Sequence, residues 1–315
     1  MSKWNGNIDM DFIELYNGMK LPNIALGTSS IGYAPNYHYA SSKNGLLNRI
    51  LNRLKRNSIR KQEEDFINAI CHALLVGYRL IDTSAAYSNE IFINRAILRS
   101  KIPRNEVFLT GRISNQAQFA GSKAVKSQIE DILHRNGSDK IDLLMFHWPV
   151  TGCYESTWKV ICDAYESGIA KAIGVANCHR HHLENLMKCG LKPMVNQFEV
   201  HPLFTQKQLI QYCNDQGIVV ESYSAIARYD DRLMRLPALL KIAKKYGKSP
   251  VQVVLRWHVQ QGLIPIVRSM NKQRIMENID IFDFTLEKNE IQIIDSFNIN
   301  ARIRYDPDNC DFTIL

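Results

Sequence analysis

Eight short apolar runs, each followed by a stretch of helical periodicity, constrain this 315-residue chain more than any other feature. The runs fall at 23–27, 78–81, 107–110, 141–146, 172–175, 194–198, 218–223 and 263–267. Helical spacing of apolar residues predicts helices at 63–76, 89–100, 122–135, 157–167, 182–188 and 206–216, a pair at 236–246 and 250–261, and closing helices at 274–280 and 286–296. Gly77, Gly137, Gly168, Gly190 and Gly217 stand where one of these helices gives way to the next run, and glycine is suited to ending a helix. Parallel strands need long crossovers, so strict strand–helix alternation implies a parallel sheet, and eight units imply closure into a (β/α)8 TIM barrel. An open doubly wound sheet is the competing α/β architecture. It would want about six strands and a G-x-G-x-x-G loop after the first, and Gly27-Thr28-Ser29-Ser30-Ile31-Gly32 lacks that pattern. The expectation is therefore one barrel domain over residues 1–315.

Two additions decorate the barrel. Residues 12–16 and 19–21 around Asn17-Gly18 predict an N-terminal β-hairpin with a type I′ turn. A polar insert of about residues 33–61 follows the first strand. Leu46, Leu47, Ile50, Leu51 and Leu54 give its middle helical spacing. The net charge of +8 is concentrated there: Lys43, Arg49, Arg53, Lys55, Arg56, Arg60 and Lys61 contribute seven positive charges without an acid, which leaves +1 for the rest. A nearly neutral body argues against nucleic acid as a partner. Emerging on the face where strands end, the insert reads either as a partly helical lid or as a decorated loop, with a membrane-surface or partner contact as a third reading.

No segment approaches 18 consecutive apolar residues and residues 1–11 are polar, so neither a membrane span nor a secretion signal is expected and the cytoplasm is the expected compartment. Seven scattered cysteines without a C-x-x-C pair read as reduced thiols. Nine histidines show no metal spacing. Arg180, His181 and His182, adjacent on one helix, are not expected to converge on an ion.

In a barrel the carboxyl ends of all strands meet on one face. Those ends carry Gly27 and Thr28, Asp82 and Tyr87, Arg112, His147 and Trp148, Ala176 and Asn177, Asn196 and Gln197, Tyr223 and Ser224, and Arg268 and Ser269. Taken singly, each has an ordinary structural reading, as a helix cap, a core ring or a strand-end hydrogen bonder. Jointly they supply an acid, a cation, a phenol, an imidazole and amides, a set suited to proton delivery and amide recognition.

The segments Leu80-Ile81-Asp82-Thr83 through Tyr87-Ser88-Asn89-Glu90, residues 141–149 ending in His147-Trp148-Pro149, residues 172–177 ending in Ala176-Asn177, residues 193–197 followed by His201-Pro202, and Arg274 through Asn278 resemble the signatures of the aldo-keto reductases. The resemblance runs from about residue 12 to 308. It implies a barrel that binds a nicotinamide dinucleotide without a Rossmann domain and reduces a small-molecule carbonyl. It further implies Tyr87 as general acid, His147 as the group orienting the carbonyl oxygen, and Asp82 paired with a cation beneath the phenol. Asn177 and Gln197 match carboxamide-binding positions and Tyr223 the ring stacked on nicotinamide. Arg268, Ser269 and Arg274 match the site of the adenosine 2′-phosphate, which implies NADPH over NADH. Gly27, Thr28, Ser224 and Asn278 complete the implied cofactor set, and Trp148 and Tyr33 are expected as aromatic walls for substrate.

The chain departs from the family pattern twice near the chemistry. The usual strand-end Thr-x-Lys is Thr110-Gly111-Arg112, and the usual Ser-Asn is Ala176-Asn177. Arginine keeps the charge but is wider and fixed in a fork. A second reading is accordingly a cofactor-binding barrel with impaired turnover and a sensing or partner-binding role. Substrate specificity is expected in the loops at 113–121 and 228–235 and in the tail after 298, and no residue pattern speaks to oligomeric state.

Overall fold

The computed structural model describes residues 12–29 and 46–315, and of residues 46–58 the backbone alone. Its elements run β1 (Phe12–Glu14), β2 (Lys20–Pro22), β3 (Ala25–Gly27), α1 (Leu46–Leu75), β4 (Leu80–Asp82), α2 (Glu90–Ser100), β5 (Phe108–Ile113), α3 (Asn115–Phe119), α4 (Ser122–Asn136), β6 (Leu143–Phe146), α5 (Tyr154–Glu166), β7 (Ile173–Ala176), α6 (Arg180–Cys189), β8 (Val195–Glu199), α7 (Lys207–Asp215), β9 (Val219–Tyr223), α8 (Asp231–Met234), α9 (Pro237–Tyr246), α10 (Pro250–Gln260), β10 (Leu263–Val267), α11 (Lys272–Ile279) and α12 (Lys288–Asp295).

Strands β3 to β10 close into a barrel in chain order, with β10 pairing back onto β3, and every barrel pairing is parallel. The eight-stranded expectation is met and the open sheet is excluded. Strands β6 and β7 read wholly apolar, and β4 is apolar up to its final Asp82, because both faces are covered, one by the barrel interior and one by helices. Gly174 marks how tightly β7 approaches β8, since a Cβ there would lie 2.8 Å from the carbonyl oxygen of Val195.

The hairpin forms as expected, with Phe12 opposite Pro22, but its turn differs from the type I′ expectation. The Gly18 N–H closes onto the Leu15 carbonyl and only Gly18 of the Asn-Gly pair takes a positive φ, of 82°. Type I′ requires positive φ at both central residues; a longer loop with a single left-handed glycine is formed instead.

The insert is also corrected. The first barrel helix begins at Leu46 rather than at residue 63, so α1 is one helix of 30 residues. Residues 55–62 contain neither glycine nor proline, and Lys, Arg and Gln are good helix formers, so nothing in this stretch breaks the helix. Its carboxyl half packs through Ile67, Ile70, Ala73 and Leu74. Residues 33–45 of the insert, Tyr33 included, lie outside the described residues.

Candidate active site

Asp82 closes β4 and the chain turns at once. Ser84 accepts a hydrogen bond from the Ala86 N–H to start a single 3-10 turn over Ala85–Tyr87, and left-handed Ser88, at φ 51°, ends it. Asn89 pins this turn by accepting from the Thr83 hydroxyl at 2.8 Å and donating to the Thr28 carbonyl at 2.7 Å. Thr28 in turn donates its hydroxyl to the Asp82 carbonyl at 2.8 Å. The result carries the Tyr87 phenol back over the end of β5, where Arg112 waits.

Arg112 is 3% exposed and spends its fork on four acceptors. Nη2 donates to Asp82 Oδ2 at 2.7 Å and to the Tyr87 hydroxyl at 3.2 Å, Nε donates to the Thr83 carbonyl at 3.0 Å, and Nη1 donates to Gln197 Oε1. The guanidinium carbon lies 5.4 Å from the Tyr87 ring centre. A lysine, donating from one nitrogen, would not span this set.

Below Arg112 the structure adds a residue the sequence reading missed. The Gln197 amide donates both to Asp82 Oδ1 at 2.9 Å and to Glu221 Oε2 at 2.7 Å. Gln197 and Glu221 are register partners across β8 and β9, and both are about 1% exposed. Burial, and then the like charge of Asp82, push the Glu221 carboxyl up to about 7, against the opposing pull of Gln197 and Arg112. Its sequence signal was an acid inside the buried run 218–223. Gln197 thus sits in a layer beneath the pocket, with both amide hydrogens committed to carboxylates.

For Tyr87 itself, burial raises the phenol's pKa, and Arg112, Asp82 and Arg304 modify it in alternating directions. The cation does not outweigh burial, so the net shift is upward and the phenol holds its proton through neutrality. Burial likewise raises Asp82, opposed by its pairing with Arg112 and the Gln197 hydrogen bond. His147 stands at the end of β6 with its ring 5.9 Å from that of Tyr87, edge to face, and its Nδ1 3.4 Å from the Ser84 hydroxyl. Burial, then the charges of Arg112 and Arg304, hold its pKa well below the ordinary histidine value, so the imidazole is neutral.

Asn177 takes a left-handed φ of 61° directly after β7. Its amide donates to the His147 carbonyl at 2.9 Å and accepts from the Tyr223 hydroxyl at 2.6 Å, which leaves one amide hydrogen and one lone pair. Ser224 follows Tyr223 with a φ of 52°. Two non-glycine residues in this region, at the ends of β7 and β9 on either side of β8, mark a locally strained, tightly specified site.

Arg268 leaves β10 and donates to the Ser29 carbonyl at 2.6 Å. Ser269 and Asn271 form the turn into α11, where the Asn271 side chain caps the Arg274 N–H at 3.0 Å. Arg274 is exposed on the first turn of that helix, and Asn278 is buried one turn later. Gly27 is enclosed by β10: a Cβ there would lie 3.0 Å from Ile266 and 3.7 Å from the Cβ of Arg268. Trp148 is 3% exposed and packs with Val150 and Phe312 of the carboxyl-terminal tail.

The tail is tied down at two further points. Glu199, fully buried at the end of β8, accepts from the backbone N–H groups of Ile303 at 2.7 Å and Arg304 at 2.8 Å and lies 2.9 Å from His201 Nε2. Asp308 lies 2.7 Å from His179, 3.3 Å from His181 and 3.6 Å from His182. The expectation that these histidines do not converge is corrected. His179 caps α6 from outside the helix, and the rings of His181 and His182 lie 3.9 Å apart, so one tail carboxylate reaches all three. His181, His182 and Asp308 have spacing that could hold a metal ion. Among the described residues, no helix is long and apolar enough to cross a membrane.

Residues 51–299 match the family model described as "Aldo/keto reductase family". The chain is 35% identical to a glyoxal reductase of Bacillus subtilis, over 96% of this chain and 98% of that protein, and 38% identical to the methylglyoxal reductase DkgA of Escherichia coli, over 78% and 89%. Among solved structures it resembles a mutant of Gox0644 in complex with NADPH, with a TM-score of 0.81, 28% identity, and coverage of 96% of this chain and 100% of that one. With the closed barrel and the strand-end constellation, these likenesses establish that the chain belongs to the aldo/keto reductase family and is an NAD(P)H-dependent oxidoreductase.

Proposed function

We propose that this protein reduces a small aldehyde or ketone to the alcohol with NADPH, and that Tyr87 delivers the proton. The observation that carries the reading is the single nitrogen of Arg112 that joins Asp82 at 2.7 Å and the Tyr87 hydroxyl at 3.2 Å. A phenol that keeps its proton at neutrality, beside a fixed cation able to stabilise the phenolate it becomes, is a competent general acid. Tyr87 releases its proton to the carbonyl oxygen, and Arg112 takes up the charge that develops on the phenol.

His147 supplies the second contact to that oxygen. A hydroxyl hydrogen from Ser84 to Nδ1 leaves the ring proton on Nε2, where a neutral imidazole donates without competing for the Tyr87 proton. Asp82 fixes the guanidinium. Gln197 acts here as a positioning residue, holding Asp82, Arg112 and Glu221 in one layer.

The residues suit the cofactor by the chemistry of their donors. Arg268, Ser269 and exposed Arg274, at the amino end of α11, offer two guanidinium groups, a hydroxyl and a helix dipole to a 2′-phosphate. Tyr223 offers a ring face, and Asn177 its remaining amide hydrogen and lone pair. When bound, the reduced nicotinamide supplies the hydride. The full engagement of Arg112 with Asp82 and Tyr87 favours an enzyme over the impaired, sensing barrel. The relatives' names suggest glyoxal and methylglyoxal as first substrates. NADPH oxidation with each should proceed with the native chain and fall about a hundredfold to ten-thousandfold in Tyr87→Phe, with the dissociation constant for NADPH unchanged. Equal turnover by the variant would sink the assignment.

A further inference from the structure

The carboxyl-terminal tail crosses the mouth of the barrel between two anchors. On one side, the Glu199 carboxylate grips the N–H groups of Ile303 and Arg304 at the end of β8. On the other, Phe312 packs with Trp148, and Asn115 donates to the Phe312 carbonyl at 3.1 Å. Arg304 belongs to the first anchor, on a backbone that the bidentate clamp holds in place. Its side chain is half-buried, yet among the described residues no carboxylate lies within 4.0 Å of its guanidinium, in contrast to the neighbouring Arg302, which pairs with Asp306 at 3.8 Å. Its one described neighbour contact is the Tyr305 ring, 5.6 Å away. Held on Glu199 at the end of β8, Arg304 stands on the face of the barrel where Tyr87 and His147 follow their strands and Tyr223 ends its own, and its positive charge lowers the pKa of all three.

A half-buried cation without an acid partner among the described residues, on the same barrel face as a neutral imidazole and a protonated phenol, is suited to an anionic group. From the geometry we propose that Arg304 binds an anionic group, a carboxylate or phosphate, carried by the carbonyl substrate, so that the enzyme prefers acidic aldehydes and ketones over neutral ones. This rests on the reductase reading above. A guanidinium on the tail, at the same barrel mouth as the Tyr87 and His147 pair, would hold the far end of such a molecule while its carbonyl oxygen meets those two donors. The same chemistry could be met by a phosphate of the cofactor, and the test separates the two sources.

The probe is 4-carboxybenzaldehyde against its methyl ester, which presents the same aldehyde without the charge. The native enzyme with NADPH should show kcat/KM for the acid about tenfold or more above the ester, and Arg304→Gln should lose about tenfold to a hundredfold on the acid and under threefold on the ester. Equal losses on both substrates, or a native enzyme indifferent to the charge, would overturn the proposal. A rise in the NADPH dissociation constant in Arg304→Gln would reassign the residue to a cofactor phosphate. Equilibrium binding of terephthalate and of its dimethyl ester to the NADP complex reads the anion site without turnover: selective weakening of terephthalate by Arg304→Gln supports it, and no preference in the native protein refutes it. If the native enzyme reduces neither aldehyde, the reductase reading fails, while terephthalate binding still decides the site.

Discussion

Replacing Arg112 by methionine tests the centre of the site. The side chain keeps most of its length and loses the charge that lies 3.2 Å from the Tyr87 oxygen. At that distance a unit charge in an effective dielectric of about 20 is worth about 5 kcal/mol. Without its cation, buried Asp82 shifts toward its neutral form, which removes part of the opposing field that it exerts on Tyr87 in the native protein, so a net loss of about 4 kcal/mol against the developing phenolate is expected. That is about a thousandfold in turnover. Leaving Asp82 buried without its cation should also lower stability by about 3–5 kcal/mol. Urea titration must therefore accompany the kinetics, and turnover should be measured well below the midpoint. Arg112→Lys is the control. It keeps the charge and gives up the Thr83 and Gln197 contacts, so stability should fall by about 1–3 kcal/mol while turnover stays within about tenfold of native. If folded Arg112→Met, saturated with NADPH, reduced methylglyoxal within tenfold of the native rate, the electrostatic account of Tyr87 would be wrong. Lysine as inactive as methionine would show that the fork, and not the charge, is what the reaction needs.

Three further outcomes follow from buried or exposed charges. The Glu221 carboxyl, raised from 4.5 to about 7, favours its protonated form in the fold, so stability is lost as pH rises through 7; Glu221→Gln should exceed the native protein by up to about 3 kcal/mol at pH 8 and match it near pH 4, by urea unfolding at both. Burial raises Glu199, but His201 and the Ile303 and Arg304 N–H groups outweigh it and hold its pKa below the ordinary value, so its contribution is present at neutrality and lost as pH falls. Hydrogen exchange at Ile303 and Arg304 should therefore be protected at neutral pH, accelerate under acid, and be fast at both in Glu199→Ala. Arg274→Gln should weaken NADPH about tenfold and leave NADH unchanged; weakening of both alike would place the residue away from the 2′-phosphate.

The barrel was legible because parallel strands covered on both faces must be short apolar runs separated by crossovers, and runs such as 141–146 and 194–198 contain β6 and nearly all of β8. That Asp82, Arg112, His147 and Gln197 share one end of the barrel was legible for the same reason, since a strand's last residues belong to the shared face whatever their identity. What escaped was pairing across sequence distance. Glu221 lies 24 residues from Gln197 and Glu199 more than a hundred from Ile303, and nothing local to either acid says whether its partner is water, an amide or a backbone N–H. An acid inside an apolar run does carry a weaker signal: burial without a partner is too costly to keep, so a partner must come from elsewhere in the fold. Applied to Glu221, that argument demands a donor from the adjacent strand, and Gln197 in register beside it is that donor. Extended to Arg112, it accounts for the arginine as well. The layer under Tyr87 holds two carboxyls and an amide oxygen, and one fork meets Asp82, Gln197 and the Thr83 carbonyl while still touching the phenol, so the departure from lysine is matched by the acceptors that surround it.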